Sequence, residues 1–334
     1  MSDRILRWGL LGTARINRAV IPPLRVSPGN RLLAVASRDG AKAAAYAKEW
    51  GIDRAHGSYE ALLADPEIDA VYNPLPNHLH VEWTIRAARA GKHVLCEKPL
   101  ALTVAEVDAM EAAARENGVV LAEAFMYRHH PQTLKVRELV RGGAVGTPRF
   151  VRGSFSFPLD RPDDVRLRPE WGGGCLWDVG CYPLSFTRFV LGTEPVEVTG
   201  SQVLGPSGID ETFVGQLVFP NGVLAQIDAG FREAYRTHFE IAGTEGAIVV
   251  RQPWRPEGLP ILLTRGSETE EIAAGGEDRY LLEIEDLADC VRAGRAPRVS
   301  LAESRGNVAT IVALLQSARE GRVVSPARWP SGSG

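Results

Sequence analysis

The chain reads as an α/β protein: a doubly wound parallel sheet in the first half, then an α+β half with a mainly antiparallel sheet. Two patterns lead there. Up to about residue 122 short apolar runs alternate with helical stretches, as crossover-connected parallel strands require. Beyond that point longer runs alternate apolar and polar residues between turn residues, as antiparallel pairing requires. A chain of 334 residues suggests about two domains, and the change of pattern places them at 1–123 and 124–330.

The first strand, Ile5 to Leu11, runs into Gly12-Thr13-Ala14-Arg15-Ile16-Asn17, a worn form of the dinucleotide fingerprint. Gly12 supplies the tight turn, while Ala14 and Asn17 stand where two further glycines would allow close backbone approach. A helix follows to about Arg25, with Pro22 and Pro23 interrupting or shortening it. Further apolar runs at Leu32–Ser37, Asp69–Asn73, His93–Cys96 and Val119–Ala122 are the other strands. Asp39, Ser58 and the pair Thr103/Glu106 are N-cap signals, and Gly51, Gly91 and Gly118 fall just past helix ends.

The second strand ends in Ser37-Arg38-Asp39, where a dinucleotide fold places the group that meets the adenosine ribose. Arg38 and Lys42, one helical turn apart, suit a 2′-phosphate, whereas Asp39 would favour an unphosphorylated ribose unless it is spent as an N-cap. NADP is therefore expected ahead of NAD. After the third strand two prolines extend the loop Tyr72-Asn73-Pro74-Leu75-Pro76-Asn77-His78-Leu79-His80, with Asn77 as a helix cap and His80 in the first turn. His78-x-His80 and His129-His130 have no acid or cysteine cluster beside them, so no metal is expected.

The run His93-Val94-Leu95-Cys96-Glu97-Lys98-Pro99-Leu100 is a buried strand that stops abruptly, because Pro99 has no N–H to continue a ladder. Lys98 then falls at the carboxyl end of a parallel strand, where open α/β sheets bind ligands. The plain alternative is a solvated lysine in a strand-to-helix turn.

In the second half a helix is predicted from about Gln132 to Arg141, then strands at Phe150–Phe157, Val196–Val203, Thr212–Phe219, Val223–Phe231, His238–Ala242 and Ala247–Arg251. Pro220-Asn221-Gly222 and Thr244-Glu245-Gly246 are hairpin turns, and helices near Cys175–Leu191, Arg279–Ala293 and Leu301–Glu320 are available to cover one sheet face. Ser300/Glu303 opens the last helix, Gly321 closes it, and the tail from Ser331 is loose polar sequence. In Gly172-Gly173-Gly174-Cys175-Leu176-Trp177-Asp178-Val179-Gly180-Cys181-Tyr182 the glycines would let backbone pass close to a ligand, and Asp178 and Tyr182, four apart, share a helix face. The competing reading makes Asp178 a helix-dipole partner and Tyr182 a core residue. Arg128, Arg168, Trp171 and Trp177 either line a polar pocket or serve the fold.

A formal net charge of −3 without a basic run argues against nucleic acid and anionic membrane as partners and leaves a small molecule. No stretch approaches the roughly 20 apolar residues of a membrane span, and Met1–Trp8 lacks an apolar leader, so a cytoplasmic protein is expected. Cys96, Cys175, Cys181 and Cys290 show no C-x-x-C spacing and should be buried, reduced thiols.

With these residues in place the chain resembles the Gfo/Idh/MocA family, on Gly12-Thr13-Ala14, Pro76-Asn77-x-x-His80, Glu97-Lys98-Pro99, Glu123-Ala124-Phe125-Met126-Tyr127-Arg128 and Gly172-Gly173-Gly174 with Asp178. The resemblance implies an N-terminal Rossmann domain binding NAD(P) and an α+β domain with a large open sheet that binds substrate and forms a homodimer or homotetramer. It implies catalysis by Lys98 and Tyr182 with Asp178 assisting, and substrate contacts from Lys98, Arg128, Trp171, Asp178 and Tyr182. It implies a nucleotide held by Gly12, Thr13, Ala14, Arg15 and Ile16, by Ser37, Arg38 and Lys42, and by Pro76, Asn77, His80, Glu97 and Lys98. Many members carry histidine four positions after the aspartate; Tyr182 resembles instead the branch of glucose-fructose oxidoreductase, NADP-dependent xylose dehydrogenase, dihydrodiol dehydrogenases and sugar ketoreductases. The implied activity is hydride transfer between nicotinamide and a hydroxyl or carbonyl carbon of a sugar-like substrate. An NAD-dependent glycosidase and a non-catalytic nucleotide-binding regulator of the same family are the rival readings.

Overall fold

The computed structural model describes residues 5–327; the polar tail from Ser331 lies outside them. Two compact units divide the described residues: 5–129 with Asp278–Ser304, and His130–Glu277 with 305–327.

In the first unit β1 (Leu6–Leu11), β2 (Asn30–Ala36), β3 (Arg54–His56), β4 (Ala70–Asn73), β5 (His93–Glu97) and β6 (Leu121–Ala124) form a six-stranded sheet. Its order is β3-β2-β1-β4-β5-β6 and every pair is parallel. The order reverses between β1 and β4, which places the ligand crevice of such sheets beyond their carboxyl ends. The strands are connected through α1 (Asn17–Val26), α2 (Gly40–Trp50), α3 (Tyr59–Leu63), α4 (His80–Arg89) and α5 (Val104–Glu116). The caps fall where the sequence puts them: Asp39 on α2, Ser58 on α3, and a full Thr103/Glu106 capping box on α5. Pro22 and Pro23 sit inside α1 without ending it, because Val20, Ile21, Pro23 and Leu24 bury its apolar face. The short β3 is missing from the sequence reading; Arg-Ala-His offers neither alternation nor an apolar run.

The second unit begins with α6 (Pro131–Arg141) and β7 (Pro148–Ser156), and a loop then leads to a π-helical turn, Leu176–Gly180, that continues as α7 (Cys181–Leu191). β8 (Glu197–Leu204), β9 (Asp210–Val218), β10 (Leu224–Gly230), β11 (Arg236–Gly243), β12 (Ala247–Val250), β13 (Ile261–Arg265) and β14 (Glu268–Ile272) complete an eight-stranded sheet with β7. All pairs are antiparallel except β7 with β10. One face is apolar: Phe213, Leu217, Ile227, Phe239, Ile241 and Ile248 are buried on it, and α7 packs against β7 and β10. The opposite face carries Thr199, Gln216, Gln226, Arg152 and Glu240, with Leu224 and Phe150 side by side and exposed. β13 and β14 escape the sequence reading because β14, Glu-Thr-Glu-Glu-Ile, is solvent-facing almost throughout and has no apolar alternation.

α8 (Arg279–Ala293) is where the structure departs most from the sequence reading, which laid it on the second sheet. Ile284, Leu287 and Ala288 instead join Val20, Ile21 and Leu24 of α1 in the core of the first unit. Arg292 donates to the Gly29 carbonyl at 2.6 Å and Ser27 to Glu285 at 3.2 Å, which fix the helix along α1. An amphipathic stripe shows that a helix covers something, but not which sheet. α9 (Leu301–Glu320) opens on the expected Ser300/Glu303 box, and Ser317 accepts the Gly200 N–H of β8 at 3.0 Å. The four cysteines are free and buried. No helix among the described residues is long and apolar enough to cross a membrane.

The packing of α8 sets an expected outcome. Leu287→Ala should lower the unfolding free energy by about 2–5 kcal/mol in a denaturant titration, as deletion of a buried leucine does; a loss under about 0.5 kcal/mol would show that this helix does not complete the core.

Candidate active site

Gly12 leaves β1 with φ +101°, and its N–H donates to the Ala36 carbonyl at 2.9 Å. That φ favours glycine, and a Cβ there would lie 3.2 Å from Leu75 and 3.6 Å from the Tyr59 hydroxyl. Asn17 is fully buried, and its side chain donates to the Gly12 carbonyl at 2.9 Å, so it ties down the loop that a glycine would only have left room for. Thr13, Ala14 and Ile16 are half-buried and Arg15 is exposed. α1 begins without a side-chain cap or an acid in its first turn, which suits a helix start that receives a phosphate.

Ser37 is buried at the end of β2 and its Oγ accepts the Asp39 N–H at 3.2 Å. Asp39 Oδ1 accepts the N–H groups of Ala41 and Lys42 at 2.9 and 3.1 Å, so its carboxylate is occupied as the α2 cap. Arg38 and Lys42 remain exposed beside it. Tyr59 is a residue the sequence did not single out. Its buried ring packs edge-on to Trp83 with centroids 4.8 Å apart, and its hydroxyl lies against the Arg38 guanidinium. Burial raises the phenol pKa and Arg38 opposes the rise. Only its place after the Ser58 cap was visible, and any core aromatic would look the same there.

β5 stops at Glu97, and the Lys98–Pro99 peptide is cis. Glu97 accepts a hydrogen bond from the Tyr72 hydroxyl and another from the Lys98 N–H at 3.2 Å. The next N–H, of Leu100, donates to buried Glu123 at 2.8 Å. Lys98 itself is half-buried. His80 corrects the sequence reading: it is fully buried, with Nδ1 2.9 Å from the Pro99 carbonyl and Nε2 2.7 Å from that of Leu75. Both ring nitrogens face backbone, so His80 clamps the Pro76 loop to the chain after Lys98 and has no edge left for nucleotide or substrate. Burial lowers its pKa, against the two carbonyls. Asn77 opens a 3₁₀ turn, Asn77–Leu79, and does not cap α4, whose N-cap is Leu79; Pro76 and Asn77 are half-buried.

Two further groups of this unit come from α8. Glu283 is buried, and both burial and the charge of Glu97 push its pKa well above that of an ordinary carboxyl. Tyr280 is pushed up for the same reasons. Neither was legible while the helix was assigned to the other sheet. Arg128, expected to touch substrate, is 1% exposed with Nη2 2.6 Å from Glu303, an ion pair that serves the fold.

In the second unit two glycines of the run, Gly173 and Gly174, approach protein closely, where the sequence reading had the run approach a ligand. A Cβ on Gly174 (φ +120°) would overlap the Asp210 carboxylate, and one on Gly173 the Arg166 carbonyl. Asp210 accepts the Leu176 N–H at 2.7 Å and the Cys175 thiol at 3.2 Å, anchoring the start of the π-helical turn. Asp178 sits in that turn, 9% exposed, with Oδ2 2.6 Å from Nε of Arg166. Arg166 was not singled out either, since only Arg168 drew notice. Tyr182, in the first turn of α7, lies with its ring centroid 5.4 Å from Phe155 and 5.6 Å from Trp254. Trp171 is half-buried in the turn Pro169–Trp171, and Trp177 belongs to the core.

Comparison with known proteins places the fold in a family. Residues 6–125 match the oxidoreductase family with an NAD-binding Rossmann fold, and residues 133–249 match the GFO/IDH/MocA C-terminal domain. The chain is 38% identical over 324 residues to a D-xylose 1-dehydrogenase (NADP(+)) of Haloferax volcanii, covering 96% of this chain and 99% of that one. A 3-ketoreductase from Actinomadura kijaniata, solved with NADP and TDP-benzene, superposes with a TM-score of 0.89 at 31% identity, covering 94% of this chain and 98% of that chain. An aldose-aldose oxidoreductase from Caulobacter crescentus, solved with glycerol, gives a TM-score of 0.90 at 30% identity over 96% of this chain and all of that one. The chain belongs to the Gfo/Idh/MocA family of NAD(P)-binding oxidoreductases.

Asp210 makes the site measurable by pH. Burial raises its pKa from 3.8 to about 6, so the folded chain keeps this proton where the unfolded chain has lost it. Its contribution to stability is therefore full below about 3.8 and is lost as pH rises through about 6. Asp210→Asn keeps an oxygen for the Leu176 N–H and removes this dependence. Measured by denaturant, the variant should gain on wild type between pH 4 and pH 7, by at most about 3 kcal/mol; an equal difference at both pH values would refute the assignment.

Proposed function

We propose that the protein is an NADP-preferring dehydrogenase or reductase that moves a hydride between nicotinamide and a CH–OH carbon of a sugar or sugar-like molecule. The first unit holds the dinucleotide, and the second binds substrate. The observation that carries this reading is the fixing of Lys98 immediately past the carboxyl end of β5, in a family whose relatives include the xylose dehydrogenase above. The nicotinamide supplies the redox step by taking or giving the hydride at C4.

The chain fits the nucleotide at two places. The uncapped start of α1 behind Gly12 would receive the pyrophosphate on backbone N–H groups. Ser37, Arg38 and Lys42 would meet the 2′-phosphate, with Asp39 withheld as a cap. Thr13, Ala14, Arg15 and Ile16 line the same turn, and Pro76, Asn77, Glu97 and Lys98 border the next strand ends. Lys98 and Tyr182 are the residues we assign to the proton: Tyr182 exchanges it with the substrate hydroxyl, and Lys98 is the cation we assign to the first unit's share of the chemistry. A phenol and an ammonium start near about 10 and 10.4, so a base working near neutral pH depends on its surroundings to shift it. Asp178 orients the hydroxyl and Trp171 contributes to the substrate surface.

The polar face of the eight-stranded sheet, with Phe150 and Leu224 adjacent and exposed, is the surface we assign to a second copy, giving a homodimer or homotetramer. Four buried free thiols suit the reducing cytoplasm, where we place the enzyme.

Two outcomes test the reading. NADP should bind about ten- to a hundredfold more tightly than NAD in a fluorescence titration, from two charge-assisted contacts weakened by solvent, and Arg38→Asp should reverse the order. Equal or tighter binding of NAD by wild type would sink the NADP assignment. With sugars as substrates, the reduced-nicotinamide absorbance should change on turnover, and Tyr182→Phe should slow it at least about a hundredfold, with nucleotide affinity intact. Glycoside cleavage without a net absorbance change would mean a glycosidase, and near-normal turnover by Tyr182→Phe would remove that residue from the chemistry.

A further inference from the structure

We propose that Arg166 is a positioning residue for the reaction: it holds Asp178 as an oriented carboxylate one helical turn before Tyr182, so that Asp178 acts as an anionic acceptor for the substrate hydroxyl and not as an acid. The inference rests on the role given above to Asp178 and Tyr182.

Arg166 is held along its length. Its Nε lies 2.6 Å from Asp178 Oδ2 and its Nη1 3.1 Å from Asp164 Oδ1. Asp164 accepts Arg161 Nη2 at 2.7 Å on its other oxygen, and it accepts the backbone N–H of Arg166 at 3.1 Å. The main chain of Arg166 is fixed against the glycine run that introduces Asp178: its carbonyl accepts the Gly174 N–H at 3.0 Å, at a spot where Gly173 has no room for a Cβ. A guanidinium with its backbone, its Nε and one terminal nitrogen all engaged is aimed, unlike a surface arginine that only shares charge with its neighbours.

The charges around Asp178 explain why it needs such a partner. Arg166 faces it, with Asp164 and Arg161 behind on the same loop. Burial raises the Cys175 thiol pKa, and the charges of Asp210, Glu233 and Asp178 add to the rise. Tyr182 follows on α7. Removing Arg166 takes away the positive charge 2.6 Å from Asp178 Oδ2 and leaves Asp164 on the same loop, and a largely buried carboxylate that loses an adjacent cation takes up a proton at higher pH. A protonated Asp178 would donate to the substrate hydroxyl instead of accepting from it. Arg166 also constrains position, because Oδ2 of Asp178 is tethered to Nε.

The test uses the full-length enzyme with Arg166→Met, Arg166→Lys and Asp178→Asn. The readouts are the pH profile of kcat on a sugar substrate, the midpoint of the Asp178 carboxyl by ¹³C NMR, and NADP affinity. Arg166→Met should raise the Asp178 midpoint by about one unit or more, the scale of a lost adjacent opposite charge. The acid limb of kcat should move to higher pH by the same amount, with turnover on the alkaline side of that limb unchanged, and with NADP affinity within about twofold of wild type. Arg166→Lys keeps the charge but not the aim, so it should shift the midpoint less and in the same direction; it carries the test if the methionine variant does not fold. An unmoved midpoint with Asp178→Asn inactive overturns the role of Arg166 and leaves that of Asp178 standing. Normal turnover by Asp178→Asn overturns both. A moved midpoint with turnover lost equally at every pH assigns Arg166 to the fold alone.

Discussion

The polypeptide just past β5 is held by two buried side chains, and the proposed chemistry depends on that grip. Glu123 takes the N–H of Leu100 and His80 meets the carbonyl of Pro99, so the residue before them, Lys98, leaves the sheet in one fixed direction. Each holding group comes from a different element, β6 and α4, and each is nearly or wholly inaccessible. Buried hydrogen bonds of this kind are costly to leave half-made. The backbone of the lysine is therefore fixed in place by groups outside its own strand.

The second unit solves the same problem with different means. There the fixed point is a carboxylate, Asp210, which holds the first N–H of a π-helical turn and sits where only a glycine lets the chain pass. A π-helical turn changes the rotation between successive side chains, and such turns recur at functional sites. Asp178 lies within the turn and Tyr182 in the regular helix after it, so their relative direction is set by where one geometry gives way to the other.

Much of this was legible in the sequence, for identifiable reasons. Caps, glycine stops and the Lys98 strand end are local: each is decided by a few neighbouring residues, so Asp39, Ser58, Thr103 and Gly51 could be read directly. The charge corner Ser37-Arg38 with Asp39 spent as a cap was local too. What could not be read is whatever depends on a partner far along the chain. His80 looked available because the carbonyls that occupy it belong to Leu75 and Pro99, and Arg128 because its carboxylate is Glu303. The glycine run looked like a ligand cradle because nothing in its neighbourhood announces Asp210. Arg166, Tyr59 and Glu283 carry no motif at all; their importance lies in what stands opposite them.

The return of the chain to its first unit has a consequence for how this enzyme can be made and cut. The apolar side of α1 is covered by a helix that follows, among the described residues, all fourteen strands in sequence. During synthesis the nucleotide-binding half must wait, its core incomplete, until α8 has left the ribosome. A fragment ending where the parallel sheet ends would expose Val20, Ile21 and Leu24 to water. Grafting this half onto another protein would thus require carrying a distant helix along with it.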